Sequence, residues 1–254
     1  MITITQGKIA GLTPRWARFP GFSLLFDNPI SAYRENAGVE TLACDVDNDS
    51  QLGFYRQANL GLQSLSPDRL LQTYGFCALP SPSYHVTAFD VANVADLVRC
   101  HSEIRDGLRT LLDQLPSPHA FSADLLCRAE ENEVAQSEWN LTFSYGELCQ
   151  WGGVMAIRLS PVEVDVFARF VEARAILSRG YLAQFGLGAS EAFTPHVSLG
   201  YFMNREGAEL ARSRVTSWNE ALQGFVGESK LSFRSASLYG FTDMATFFRT
   251  PRAI

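Results

Sequence analysis

Two tripeptides of this chain share one frame: His85-Val86-Thr87 and His196-Val197-Ser198. Each is a histidine, a β-branched apolar residue and a hydroxyl residue. The frame takes up two of the chain's four histidines. Strand side chains alternate between faces with period two. In an extended segment the histidine and the hydroxyl therefore share a face, and the valine between them points into a core. Both copies follow a turn signal, Pro80-Ser81-Pro82-Ser83 in one case and Thr194-Pro195 in the other, and both run on into apolar, strand-like residues. His101, in a helix-like stretch, and His119, in the loop Pro116-Ser117-Pro118-His119, lack the frame. One such histidine alone is an ordinary half-buried strand residue. The repetition is what points to function, because it commits the chain to two strands that each present an imidazole beside a hydroxyl.

Apolar periodicity predicts further strands near residues 39–46, 141–145, 154–159, 231–239 and 244–248, and another over 121–128. Helices are expected over 51–65, 67–74, 93–115 and 206–225. A further helix is expected from a capping box at Ser160-Pro161-Val162-Glu163 to about residue 186. The strand–helix–strand recurrence in both halves fits an internal duplication. Residues 1–38, rich in turn signals and aromatics, read as an extension packed on a single domain of residues 39–254.

The two motifs, their apolar flanks and their separation resemble the two-histidine (2H) phosphoesterase superfamily, which includes the LigT-like RNA 2′,3′-cyclic phosphodiesterases. The resemblance picks out no single branch. It implies an α+β, bilobal fold of two mostly antiparallel sheets with flanking helices. A pseudo-two-fold would relate the lobes, with one motif on each side of a cleft between them. It also implies that His85 and His196 are catalytic and that Thr87 and Ser198 bind phosphate.

Such a site suits phosphoester chemistry. A base must take a proton from water or a hydroxyl, an acid must protonate the leaving oxygen, and donors must hold the non-bridging oxygens. Imidazole titrates near neutrality, so two of them can begin in opposite protonation states. Hydroxyls donate to phosphoryl oxygens. This chemistry needs no metal and no cofactor. The implied activity is a metal-independent phosphodiesterase that opens a 2′,3′-cyclic phosphate on a nucleotide or RNA end, or a related small phosphodiester. The alternative is a non-catalytic module that binds nucleotides or RNA ends in the same cleft. A metallohydrolase built on the two histidines ranks below both, because Asp90 falls on the opposite strand face and no carboxylates stand in a ligand pattern.

Regular strands would carry Phe89, Gly200 and Phe202 along the motif faces. They are candidate substrate contacts, the rings as a floor or a stacking surface and the glycine as a point of close approach. Core packing for the rings and a bulge at the glycine are the plainer readings. Tyr84 and Tyr201 would point away, unless a bulge turns them.

A net charge of −6 over 254 residues, with no Lys/Arg run, argues against extended nucleic-acid binding and favours a small nucleotide or an RNA end. Only Lys8 and Lys230 are lysines; the other basic residues are arginines. Five scattered cysteines without a Cys-x-x-Cys pair read as free thiols in the reducing cytoplasm. No apolar run reaches membrane-spanning length. A cytoplasmic monomer is the expectation.

Overall fold

Antiparallel pairing organises the chain into two sheets, described by a computed structural model over residues 3–189 and 192–251. In chain order the elements are β1 (Gly21–Phe26), β2 (Tyr33–Asn36), β3 (Val39–Leu42), α1 (Gly53–Ser64), α2 (Pro67–Tyr74), β4 (Phe76–Ala78), β5 (Thr87–Asn93), α3 (Ser102–Asp113), α4 (Asp124–Glu130), α5 (Glu133–Gln136), β6 (Leu141–Trp151), β7 (Val154–Pro161), α6 (Val164–Gln184), β8 (His196–Phe202), α7 (Arg205–Arg212), α8 (Val215–Val226), β9 (Lys230–Phe233), β10 (Ala236–Asp243) and β11 (Thr246–Arg249). The six-stranded sheet has the order β2-β3-β11-β10-β1-β5 and the five-stranded sheet β4-β8-β7-β6-β9. The fold is α+β, as the resemblance implies, and each sheet carries one motif.

The sheets are not contiguous halves of the chain. The stretch 231–239 expected as one strand is broken at Arg234-Ser235, so that β9 joins the second sheet and β10 the first. Residues 21–36 are not part of an extension. Phe22-Ser23-Leu24-Leu25-Phe26 is an apolar run bounded by Pro20 and Asn28-Pro29, buried along its whole length, and it forms β1 between β5 and β10. Buried on both faces, such a strand shows no alternation.

Three other expectations change. Residues 121–128 contribute to a 3-10 turn and to α4, not to a strand. The helix expected over 93–115 becomes a short 3-10 turn capped by Asn93 and Asp96, followed by α3. The capping box at residue 160 does not form, because β7 runs through Pro161 and the Glu163 carboxylate instead accepts from the Thr142 N–H at 2.7 Å.

The two sheets meet through aromatic rings. Phe26 of the first sheet stacks on Phe233 of the second at 5.1 Å and lies 6.0 Å from Phe143 and 5.0 Å from Phe170 of α6. Each fully buried ring of this kind contributes about 2–3 kcal/mol. A second joint lies at the motifs themselves, where Val86 and Val197 form an antiparallel bridge between the two sheets. Both valines are 0% exposed.

Residues 3–20 cross from one sheet to the other. The Thr5 and Gln6 N–H groups donate to Met203 O just past β8, a bridge between Ile9 and Trp16 closes a hairpin, and the Phe19 N–H donates to Thr242 O in β10. Among the described residues, no helix is long and apolar enough to cross a membrane.

Candidate active site

The Val86–Val197 bridge fixes the relation between the motifs. In antiparallel register it sets His85 next to Ser198 and Thr87 next to His196. All four side chains line one cavity of about 460 Å³.

Each histidine is held by the segment just before it. A 3-10 turn at Ser81–Ser83 aims the Ser83 carbonyl at His85, whose Nδ1 lies 2.8 Å from that oxygen. Thr194, kept extended by Pro195, does the same for His196, with Nδ1 to O at 2.9 Å. A carbonyl oxygen only accepts, so both Nδ1 atoms carry the proton. Nε2 then remains on the far side of each ring for the cavity. The two motifs thus share the same histidine tautomer and the same carbonyl contact two residues back.

Their surroundings differ. The His85 ring packs against Phe247, with centroids 4.2 Å apart. Loss of water around the ring pushes its pKa from 6.5 down to about 4, against the pull of the Ser83 carbonyl and with help from the charges of His196 and Lys8. His85 is therefore neutral at neutral pH and presents a lone pair at Nε2. His196 stands edge-on to the exposed Trp151, with centroids 5.1 Å apart.

Both motif strands bulge one residue beyond the hydroxyl. In β5, Leu25 pairs with Thr87 and Leu24 with Phe89, which leaves Ala88 as the extra residue. In β8, Ala156 pairs with Ser198 and Met155 with Gly200, which leaves Leu199 extra. A bulge reverses the alternation beyond it. Asp90, expected on the far face, therefore lines the cavity, and so does Tyr201.

The same reversal takes the three predicted contacts off the cavity shared by the motifs. Phe89, 1% exposed, packs on Tyr181 of α6 and on the Arg174 guanidinium, so its face is not open for stacking. Its edge reaches a second cavity of about 410 Å³, which shares Thr87, Asp90, Trp151 and His196 with the first. Phe202 is buried against Phe76 at 5.1 Å. Gly200 faces β4, where a Cβ would stand 2.3 Å from the Cys77 carbonyl oxygen, so strand packing is what requires glycine there.

Lys8 is the site residue that motif reasoning missed. The N-terminal hairpin carries it to the cavity wall, where its ammonium lies 4.7 Å from the Tyr201 ring centroid and 5.1 Å from that of Phe19. The sequence signal was only that lysine is rare. Arg99 also lines the cavity but is paired with Asp96. Among the described residues, no three His, Cys, Asp or Glu side chains come together as a metal-binding set.

No family model and no curated protein matches the chain. Among solved structures it resembles a conserved protein of unknown function from Agrobacterium tumefaciens, with a TM-score of 0.55 at 12% identity over 97% of this chain and 90% of that one. Also found are E. coli LigT complexed with phosphate (TM-score 0.41, 11% identity, 93% of this chain and 96% of that one) and Usb1 of Kluyveromyces marxianus (TM-score 0.37, 11% identity, 92% and 98%). The Agrobacterium protein shows a shared overall fold, and what the chain does has to be argued from its own side chains.

Proposed function

We propose that this chain is a phosphodiesterase of the two-histidine type, opening a cyclic phosphate on a nucleotide or RNA end or cleaving a related small phosphodiester. One observation carries the reading. Two His-Val-hydroxyl segments meet in antiparallel register, each imidazole fixed in the same tautomer by the carbonyl two residues back, and all four polar side chains face one cavity.

His85 is the base. Neutral and desolvated, it takes the proton of an attacking water on Nε2 as the oxygen bonds to phosphorus. His196 is the acid and gives its Nε2 proton to the leaving oxygen as the P–O bond breaks. Thr87 and Ser198 donate to the non-bridging oxygens, where charge accumulates. The turnover ends with the histidines in exchanged protonation states, and proton exchange with solvent restores them. The two cavities that meet at Thr87 and His196 give room to a substituent on either side of the phosphorus. With a pKa near 4 the free base is weak, but the anionic diester favours imidazolium and raises His85's proton affinity once bound.

The test is phosphorus NMR with 2′,3′-cyclic nucleotides and a cyclic-phosphate-ended oligonucleotide, in chelator. Ring opening that persists in chelator and is lost in both His85→Ala and His196→Ala supports the reading. Absence of turnover with nucleotide still bound would indicate the binding module instead.

A further inference from the structure

We propose that Lys8 is the phosphate clamp of this cleft, delivered by the N-terminal hairpin to hold a non-bridging oxygen of the substrate. The inference rests on the phosphodiesterase reading for its substrate, but its observations are separate.

The first observation is how Lys8 is held. Two rings, Phe19 from its own hairpin and Tyr201 from β8, flank the ammonium. Among the described residues no carboxylate ion-pairs with it. Aromatic faces attract a cation through their quadrupole and leave its charge in place. A salt bridge would have fixed the side chain equally well and cancelled that charge. The arrangement positions a cation and keeps it positive.

The second is where the charge falls. Lys8 lines the same cavity as His85 and Ser198. Of the other charged groups there, Arg99 is paired with Asp96, and Asp90 keeps its charge, acts on the Arg174 guanidinium and accepts from Ser23 at 3.5 Å. In a chain of net charge −6, the cleft thus receives a held cation that no carboxylate ion-pairs, beside the proposed base.

The third is the cost of the placement. The hairpin spans both sheets through Met203 and Thr242, and Trp16 packs edge-on to Tyr201 at 6.0 Å. Those contacts fix the angle at which Lys8 enters.

The experiment measures inorganic phosphate binding by calorimetry, and KM and kcat for a 2′,3′-cyclic nucleotide, in wild type, Lys8→Met and Lys8→Arg, with Tm recorded for each. Methionine keeps the unbranched stem and removes the charge. Phosphate affinity should fall about tenfold or more in Lys8→Met, in line with a lost charged hydrogen bond. KM should rise more than kcat falls, Lys8→Arg should recover a large part of both, and Tm should hardly move. Unchanged phosphate affinity in Lys8→Met overturns the proposal. So does an equal loss in Lys8→Arg accompanied by a lower Tm, since the stem's packing would then be what matters. Turnover that needs both histidines and ignores Lys8 removes the clamp and leaves the phosphodiesterase reading standing. Phosphate held through Lys8 by a protein that opens no diester does the reverse.

Discussion

His85 and His196 each donate from Nδ1 to the carbonyl two residues back, yet one ring is packed on Phe247 while the other stands beside the exposed Trp151. Chain-local residues, through the carbonyl two residues back, set the tautomer in both places. Residues from distant elements set the proton affinity: Phe247 comes from β11, and Lys8 from the N-terminal hairpin. Two motifs with the same carbonyl contact thereby acquire unlike surroundings, which suits a division into base and acid.

The largest effects should come from removing either half of the pair. His85→Ala and His196→Ala should each lower kcat by about 10²–10⁴-fold, read by phosphorus NMR, and the double variant should be scarcely worse than either single one. A double variant whose loss is the product of the two would mean that they do not act as a unit. Next come the hydroxyls: Thr87→Val and Ser198→Ala should each cost about 10²-fold in kcat, the scale of a lost oxyanion donor. Comparable losses would sharpen the symmetry, whereas loss at one site alone would break it.

The asymmetry is tested by Phe247→Ala, which admits water to His85. Its midpoint, followed by NMR of the ring, should climb from about 4 toward 6.5, and Trp151→Ala should leave it in place. The same depressed pKa has a stability signature. Folding favours neutral His85, so its contribution is complete above pH 6.5 and is lost as pH falls toward 4. Thermal melts of wild type should lose stability over that window that His85→Gln does not lose. The smallest effect expected on the chemistry is at Gly200. Gly200→Ala should destabilise by about 1–3 kcal/mol through the clash with β4, with KM unchanged for the molecules that remain folded. A raised KM with unchanged Tm would return Gly200 to the substrate.

The motif pair was legible because its signal is local: residue type, frame and a preceding turn. α2 was legible for the same reason, with Ser66-Pro67-Asp68 opening it and Gly75 closing it in the left-handed region. The residues just beyond each motif were not. Period two carries Phe89 and Phe202 to the cleft, whereas bulges at Ala88 and Leu199 bring Asp90 and Tyr201 there instead. The bulge at Leu199 has a marker in the adjacent Gly200, for which a bulge is the plainer reading, whereas no glycine stands near Ala88 and nothing in the sequence announces the bulge there. β1 was hidden by its own burial, and Lys8 by distance along the chain, since a contact across the fold leaves no trace in local spacing.

The most direct test of the division of labour between the two histidines is the pH dependence of both kcat/KM and kcat for phosphodiester opening by the wild-type protein. The account predicts a bell in each, with the acidic limb of kcat/KM near pH 4, where free His85 takes up its proton, and the acidic limb of kcat displaced to higher pH by the bound anion. A kcat/KM profile with no acidic limb, or with one that stays in place in Phe247→Ala, would contradict it and remove His85 as the base.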